Sequence, residues 1–378
     1  MILEIDKKLY LDSLTWLRGI AAFFVIVSHT VNATEVTYFD SDNASKIILF
    51  NVFNLGSFGV LIFFVLSGCT LFISNVHGTK LDSIFGFYAK RFFRIWPAFA
   101  FSLVLYLLFR PIFVLFYTEP QGLWIEKQFL LDYSLSDLLA YITLTSNIFV
   151  GDIGLFNNAY WSLPVEFQYY LLFPLIVLSL LRIGLLGPII IAGILYAFPR
   201  TELSFFKDDQ FFVLALSFCG GVLIGHLYKN YKFRLPPTIG LILLLIVFIL
   251  VNVLNSNWNL MPDLLYISNR WNFFCIAAIV TVGLTLFGDF KLNNAISNTL
   301  KYYGQISYGT YLYHNLFVAL AVIIIIQMEL TSPMIRIIFT FVLTFIGSLL
   351  LAGLSYKYIE QPFISFSRNL AKQFKGIK

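Results

Sequence analysis

Long apolar stretches alternate with short polar segments along nearly the whole chain. Crossing the hydrocarbon core of a bilayer takes a helix of about 20 mostly apolar residues. Ten stretches approach or exceed that length, at residues 12–32, 54–74, 94–116, 163–181, 183–198, 210–228, 236–254, 271–289, 303–326 and 335–356. The pattern therefore predicts an all-α integral membrane protein with about ten transmembrane helices.

Two stretches depart from the simple pattern. The fifth predicted span is short and is interrupted by Pro188. Residues 138–150, in the connection between the third and fourth spans, are apolar but too few to cross a bilayer. We expect a re-entrant or interfacial segment there. No internal repeat or low-complexity linker divides the chain, so residues 1–378 are expected to form a single polytopic membrane domain.

Composition and charge agree with this prediction and orient it. Hydrophobic residues make up 59% of the chain and charged residues 12%, and the mean hydropathy is +0.83. Little sequence therefore remains for a soluble domain. With ten spans, most of the 25 lysines and arginines fall on the side of the two termini. Because basic loops stay inside, we expect both termini to be cytoplasmic.

Several function classes are disfavoured because their motifs are missing. The cysteines at positions 69, 219 and 275 all fall in apolar runs, which argues against a disulfide framework and against a zinc site. The sequence has no glycine-rich phosphate loop, dinucleotide fingerprint or G-x-S-x-G elbow. It also lacks the basic soluble surface of a nucleic-acid-binding protein. We therefore expect neither a metal ion nor a nucleic acid partner.

Arg18 and His29 both lie in the first predicted span. An arginine and a histidine are costly inside a bilayer, so each invites a functional explanation. Their positions differ by eleven residues, which is about three helical turns and about 16 Å along the axis. We expect both side chains on one stripe, as two stations along an internal pathway. For His29, a hydrogen-bonded structural role is the alternative.

Glu166 falls at the outer start of the fourth predicted span, at a depth similar to that of His29. A neutral histidine beside a carboxylate can act as a general base, because the carboxylate orients the ring and stabilises the imidazolium. Alternatively, Glu166 only adds a favourable negative charge to the first helical turn. His314 adds a second imidazole near the middle of the ninth span.

Three cations stand at the start of the third predicted span. They are Lys90, Arg91 and Arg94, and Pro97 follows at the expected helix entrance. A rigid cationic turn of this kind suits phosphate groups or lipid headgroups. Anchoring of the helix at the cytoplasmic face is the alternative.

Ser67 and Gly68 lie near the inner end of the second predicted span. A glycine at such a position most often allows two helices to pack closely. It equally allows a ligand to approach the backbone. We therefore include both residues among the candidates for binding the same anionic ligand as the cationic turn.

Six segments, in order, resemble successive blocks of the bacterial membrane acyltransferase family called acyltransferase 3. One apolar block would be a weak match, but six with this order and spacing cover most of the chain. The segments are LTWLRGIAAFFVIVSH (14–29), FGVLIFFVLSG (58–68), KRFFRIWP (90–97), YWSLPVEFQYYLLFP (160–174), ISYGTYLYH (306–314) and YIEQPF (358–363).

The resemblance implies transfer of an acyl group, usually acetyl, from cytoplasmic acyl-coenzyme A. The acceptor would be a hydroxyl of a cell-envelope or secreted glycan, or of its lipid-linked precursor. Acyl-coenzyme A is then a donor substrate, and no tightly bound cofactor is implied. By position, His29 would be the catalytic histidine, with Glu166 as the acidic residue of its block. Arg18, Arg91 and Arg94 would bind the donor, in a multi-pass protein of the cytoplasmic membrane.

Two features depart from the family pattern. Members often have a tryptophan and a proline after the histidine of the ninth helix, where this chain has Asn315, Leu316 and Phe317. Some members also carry a soluble esterase-like domain after the last helix, and we expect none here. The alternative function is a transporter or flippase of a lipid-linked glycan intermediate, because intramembrane arginine, histidine and glutamate also serve transport. The lack of inverted repeats and of paired broken helices stands against it.

Overall fold

The computed structural model describes most of the chain, and almost all of that part is helical. The described residues are 2–34, 52–78, 80–81, 83–117, 124–150, 154–198, 210–231, 233–256, 270–288 and 290–373. The α-helices in chain order are α1 (Ile2–Thr34), α2 (Gly56–Asn75), α3 (Ile84–Phe116), α4 (Glu126–Leu130), α5 (Leu135–Ile142), α6 (Ser146–Phe149), α7 (Ser162–Ile183), α8 (Leu186–Ala197), α9 (Gln210–Val213), α10 (Ala215–Asn230), α11 (Pro237–Ser256), α12 (Arg270–Phe287), α13 (Asn294–Gln327), α14 (Pro333–Ser355) and α15 (Gln361–Gln373).

Three smaller elements complete the described part. A 3₁₀ turn, Asn158–Trp161, leads into α7, and a π-helical segment, Tyr356–Glu360, joins α14 to α15. Strands β1 (Val76–His77) and β2 (Lys80–Leu81) form a short antiparallel hairpin.

The all-α membrane fold predicted from the hydropathy pattern is confirmed. Eight helical stretches among the described residues are long and apolar enough to cross a membrane. Two further predicted spans, the fifth and the eighth, correspond to shorter apolar helices, α8 and α12. With 12 residues, α8 is only about 18 Å long, which is less than the hydrocarbon thickness.

The third predicted span begins earlier than the sequence indicated. The helix starts at Ile84 instead of residue 94, and the Ser83 hydroxyl accepts a hydrogen bond from the Gly86 backbone N–H at its first turn. Arg91 and Arg94 therefore lie inside α3, and Pro97 is a residue of the helix interior, not its entrance. Hydropathy detects only the apolar part of a helix, whereas capping extends this one through a basic segment.

The connection between α3 and α7 contains three short helices, α4, α5 and α6, and includes the segment 138–150. Hydrogen bonds join α5 to α3 and α6 to α7. The indole N–H of Trp96 on α3 donates to the Ile142 carbonyl at 3.0 Å. The side-chain amides of Asn147 and Gln168 on α7 exchange two hydrogen bonds, at 3.0 and 2.9 Å. These bonds satisfy backbone and amide groups that would be costly in lipid.

Helix α2 is at the centre of the bundle. In its apolar window 83% of residues are buried, against 11% in α11, which faces outward. It packs against α1, α10 and α12. Glycines allow the backbones of these helices to come close together. A Cβ at Gly59 would lie only 2.6 Å from the Ala21 carbonyl oxygen of α1. A Cβ at Gly68 would collide with the backbone of Phe218 on α10. Close backbone contact of this kind is typical of membrane helices.

Candidate active site

Two pockets lie end to end along α2. Arg18 of α1 lines the first pocket, and His29 of α1 lines the second. We call the first the arginine pocket; its polar lining consists of Arg18, Ser67, Thr70, Arg91, Arg94, Ser162, Glu166, Tyr170, Ser307, Tyr308 and Tyr311. We call the second the histidine pocket; its polar and aromatic lining consists of Ser28, His29, Asn32, Ser57, Asn158, Trp161, Gln210, Trp271 and Tyr311. The expectation that Arg18 and His29 mark separate stations agrees with this geometry.

The guanidinium groups of the arginine pocket are held by neutral partners. The Arg18 Nη2 atom donates to the Thr70 hydroxyl at 3.4 Å. That hydroxyl in turn donates to the Leu66 carbonyl at 2.7 Å, so an oxygen lone pair faces Arg18. The Arg91 guanidinium lies 5.9 Å from the centre of the Tyr170 ring. Its Nε atom is buried and has no hydrogen-bond partner among the described residues.

Glu166 is the carboxylate of this pocket. The Ser67 hydroxyl donates to its Oε1 atom at 2.7 Å, and the Tyr170 hydroxyl donates a short hydrogen bond to the same oxygen. Among the described residues, no arginine nitrogen lies within 4.0 Å of the Glu166 carboxylate. Three guanidinium groups therefore face one carboxylate that is engaged by hydroxyls, and the pocket keeps a surplus of positive charge.

The structure brings five of the candidate residues together but separates Glu166 from His29. Arg18, Arg91, Arg94, Ser67 and Glu166 share the arginine pocket. The sequence had placed the carboxylate beside the imidazole because both lie at a similar depth. The position of a residue along a helix determines its depth in the membrane but not which neighbour its side chain contacts. Here the Glu166 carboxylate accepts hydrogen bonds from hydroxyl groups on α2 and α7.

Gly68 and Glu360 lie outside the polar linings of the two pockets. Gly68 lines neither pocket and faces the α10 backbone, so the helix-packing alternative describes it. Glu360 is the last residue of the π-helical segment that joins α14 to α15. It is 4% exposed, its Oε1 atom has no hydrogen-bond partner, and it makes no ion pair with a described arginine.

A hydrogen-bonded network surrounds the imidazole of His29. Its Nδ1 atom lies 3.0 Å from Asn315 Oδ1 and 2.7 Å from His314 Nε2. The His314 Nδ1 atom lies 2.8 Å from the Tyr311 carbonyl oxygen. The Asn315 Nδ2 group donates to Asn157 Oδ1 at 2.8 Å. Three of these side chains, those of His314, Asn315 and Asn157, are completely buried.

The partners assign the protons of this network. A carbonyl oxygen only accepts, so His314 Nδ1 carries hydrogen and the Nε2 atom of the neutral ring is an acceptor. Because Asn315 uses its amide N–H₂ toward Asn157, its Oδ1 atom also faces His29 as an acceptor. His29 Nδ1 thus carries a hydrogen shared by two acceptors. The Nε2 atom of His29 is then the unprotonated nitrogen, and no described residue is bonded to it.

The remaining walls of the histidine pocket combine amides, hydroxyls and indole rings. The His29 ring centre lies 4.8 Å from that of Trp124. The rings of Trp161 and Trp271 meet edge to face, with centres 6.2 Å apart. Such a surface offers flat apolar faces together with hydrogen-bonding groups. Among the described residues, no group of three or more His, Cys, Asp or Glu side chains could hold a metal ion.

Sequence reasoning did not find the partners of His29. It named Asn315 only as a departure from the family pattern, and it left the role of His314 open. A usable signal was present, since an imidazole and an amide in consecutive positions of an apolar span are costly unless they are bonded. Asn157 carried no such signal because it precedes the fourth span.

The chain belongs to the acyltransferase family 3, as its motifs indicated. The family model described as an acyltransferase domain matches residues 11–353. Putative O-acetyltransferase SACOL0978 of Staphylococcus aureus (strain COL) is 24% identical over 94% of this chain and 58% of its own length. Acyltransferase MdmB of Streptomyces mycarofaciens is 32% identical over 44% of this chain and 38% of its own length. The chain thus spans less than two thirds of the curated relatives it matches. No solved structure matches.

Proposed function

We propose that this protein is a membrane O-acyltransferase that moves an acetyl group from acyl-coenzyme A to a hydroxyl of a cell-envelope or secreted glycan. The observation that carries the proposal is the end-to-end arrangement of a cationic pocket and a histidine pocket along α2. The family membership supports acyl transfer in general. The donor and the acceptor are those that the family resemblance implies, and the chemistry of the two pockets supports both.

The arginine pocket suits the phosphates of acyl-coenzyme A. Guanidinium groups bind phosphate oxygens through charge-assisted, often bidentate hydrogen bonds. Arg91 offers a buried N–H without a partner, and binding a phosphate would remove the cost of leaving it unsatisfied. We assign Arg18, Arg91 and Arg94 to the donor. Glu166 then holds Ser67 and Tyr170 in place and limits the repulsion among the cations.

The donor is a cytoplasmic metabolite, so the arginine pocket is expected to open toward the cytoplasm. The surplus of basic residues on the side of the termini supports the same orientation. The protein would then be a multi-pass protein of the cytoplasmic membrane. A reporter that is active only in the cytoplasm tests this orientation when it is fused after residue 378. We expect the fusion to be active.

The histidine pocket suits a sugar hydroxyl. Indole rings pack against the apolar face of a sugar ring, and amide side chains both donate to and accept from its hydroxyls. Trp161, Trp271 and Asn158 provide these groups. Mass spectrometry of surface glycans with and without the gene would identify the acceptor by the loss of one acetyl increment.

In the proposed reaction, the Nε2 atom of His29 takes the proton of the acceptor hydroxyl. The oxygen attacks the thioester carbonyl carbon, an ester C–O bond forms and the C–S bond breaks. The leaving thiolate then receives the proton from Nε2. His314 and Asn315 act as positioning residues, because their acceptor atoms keep the Nδ1 hydrogen of His29 in place and stabilise the transient imidazolium.

Radiolabelled acetyl-coenzyme A tests the proposal in membranes that contain the protein. We expect alkali-labile label in the glycan fraction, and a loss of about 10²- to 10⁴-fold with His29→Ala, the range of a general base. His226→Ala is the matched control, because His226 lines neither pocket. Unchanged transfer with His29→Ala would refute the scheme. A transporter or flippase would consume no acetyl-coenzyme A at all.

A further inference from the structure

Val60 and Tyr311 line both pockets, whereas every other described lining residue belongs to one of them. Their side chains are almost completely buried, at 6% and 7% exposure. Val60 belongs to α2 and Tyr311 to α13. The two side chains therefore form a partition between the arginines and His29.

The Tyr311 side chain is held firmly in this partition. Its hydroxyl donates to the Ala159 carbonyl at 2.7 Å and lies 2.8 Å from the Ser162 hydroxyl. The Phe63 ring meets it edge to face, with ring centres 6.0 Å apart. A ring that is anchored at its hydroxyl and packed on its edge cannot turn aside without breaking these contacts.

The arginine pocket changes character toward the partition. Its cationic end lies at Thr70, the residue bonded to Arg18, and its far end lies at Val60 and Phe63. Thr70 and Val60 are about 15 Å apart along the axis of α2. A donor whose phosphates bind the guanidinium groups would therefore bring an uncharged arm to an apolar end. Only the terminal acyl group would need to pass the partition and reach His29.

We propose that Val60 and Tyr311 together select the acyl group by size, admitting acetyl to His29 and excluding longer chains. This inference rests on the proposed function, since it concerns which donor the same site accepts. The physical basis is overpacking: each added methylene must displace close-packed side chains, one of which is held by hydrogen bonds. A pocket wall of this kind discriminates by about 10- to 200-fold per methylene.

The test compares radiolabelled acetyl- and butanoyl-coenzyme A as donors in membranes that contain the protein. The readout is the ratio of butanoyl to acetyl label recovered as alkali-labile ester. We expect the wild-type protein to prefer acetyl, and Val60→Ala to raise the ratio at least about tenfold. Tyr311→Leu, which removes both the ring and its hydroxyl anchor, should raise the ratio as well.

Val65→Ala is the matched control. It makes the same change on the same helix at a fully buried position, but Val65 lines neither pocket. The ratio should stay at its wild-type value. An equal rise in this control would overturn the proposal, because general loosening of the bundle would then explain the effect. A wild-type protein that uses both donors equally would overturn it too.

If the proposed function is wrong, the same assay gives a different result from the one that overturns the size-selection proposal. If the protein transfers no label from either donor above the His29→Ala background, acyl-coenzyme A is not its substrate. If acetyl is transferred and the ratio is unchanged in both Val60→Ala and Tyr311→Leu, the acyltransferase proposal survives and the partition is not the selector.

Discussion

The arginine and histidine pockets adjoin, yet they differ in how completely their polar groups are hydrogen-bonded within the protein. In the arginine pocket the cations contact hydroxyls and an aromatic ring, and a buried Nε atom of Arg91 is left without a partner. In the histidine pocket the polar atoms around the Nδ1 atom of His29 bond to one another. The first arrangement is suited to attracting an anion, the second to holding one ring nitrogen ready for proton transfer.

This difference predicts that mutations in the two pockets change different kinetic constants. Loss of a cation should weaken donor binding, whereas loss of a partner of His29 should slow the chemical step. A KM effect and a kcat effect are separable in the same assay. The following predictions assume the proposed acetyl transfer.

After the loss of His29 itself, the largest effect is expected at Asn315. Replacing it with leucine keeps the number and branching of the side-chain heavy atoms but removes the acceptor that faces His29 Nδ1. We expect kcat to fall about 10²-fold because the imidazole loses its preferred tautomer and orientation, with little change in the KM for acetyl-coenzyme A. Steady-state kinetics of purified protein measure both constants.

The conservative variant Asn315→Asp separates the acceptor that faces His29 from the donor that faces Asn157. Aspartate keeps an acceptor oxygen toward His29 and should recover a substantial part of kcat. Equal losses in Asn315→Leu and Asn315→Asp would argue that the site needs the N–H donation to Asn157, which both variants lose, and not the acceptor toward His29.

The next effect is expected at Arg91. Arg91→Ala should raise the KM for acetyl-coenzyme A about 10- to 100-fold, because a charge-assisted hydrogen bond to a buried partner is lost. Arg234→Ala makes the same change at an exposed residue that stacks on Tyr228 and lines neither pocket, and its KM should equal that of the wild type. A fall in kcat at constant KM would contradict the donor-binding role.

A smaller effect is expected for Glu166→Gln. Glutamine keeps an oxygen that accepts from Ser67 and Tyr170, so kcat should stay within about threefold of the wild type, a barrier change below about 1 kcal/mol. The KM for the anionic donor should fall, since the pocket gains positive charge. If kcat instead drops by about 10²-fold or more, Glu166 takes part in proton transfer.

The smallest effect on the reaction is expected for Gly68→Ala. The added methyl group would collide with the backbone of Phe218, so we expect destabilisation by about 1–3 kcal/mol and an unchanged KM for acetyl-coenzyme A. Thermal unfolding in detergent measures the stability. Gly193→Ala, where a Cβ meets nothing within 4 Å, should unfold at or above the wild-type temperature. A raised KM for acetyl-coenzyme A in Gly68→Ala would instead indicate that Gly68 forms part of the donor site.

Much of the fold could be read from the sequence because a bilayer limits the choices. A segment inside the hydrocarbon must satisfy its own backbone hydrogen bonds, so long apolar runs have to form helices. For this reason the second, seventh and tenth predicted spans agree closely with α2, α11 and α14. The start of α3 was missed because a capping serine and a basic turn extend a helix without raising its hydropathy.

The sequence by itself determined the residue types available for chemistry and their order along the chain. Because burying Arg18 and His29 in an apolar span is costly, the sequence indicated both as candidate functional residues. The ordered motifs identified the family. Only the tertiary structure decided the partnerships. Whether Glu166 meets His29 or Ser67, and whether Asn315 is a departure or a partner, depends on how the helices turn toward one another. Packing against distant parts of the chain sets that rotation, and local sequence does not encode it.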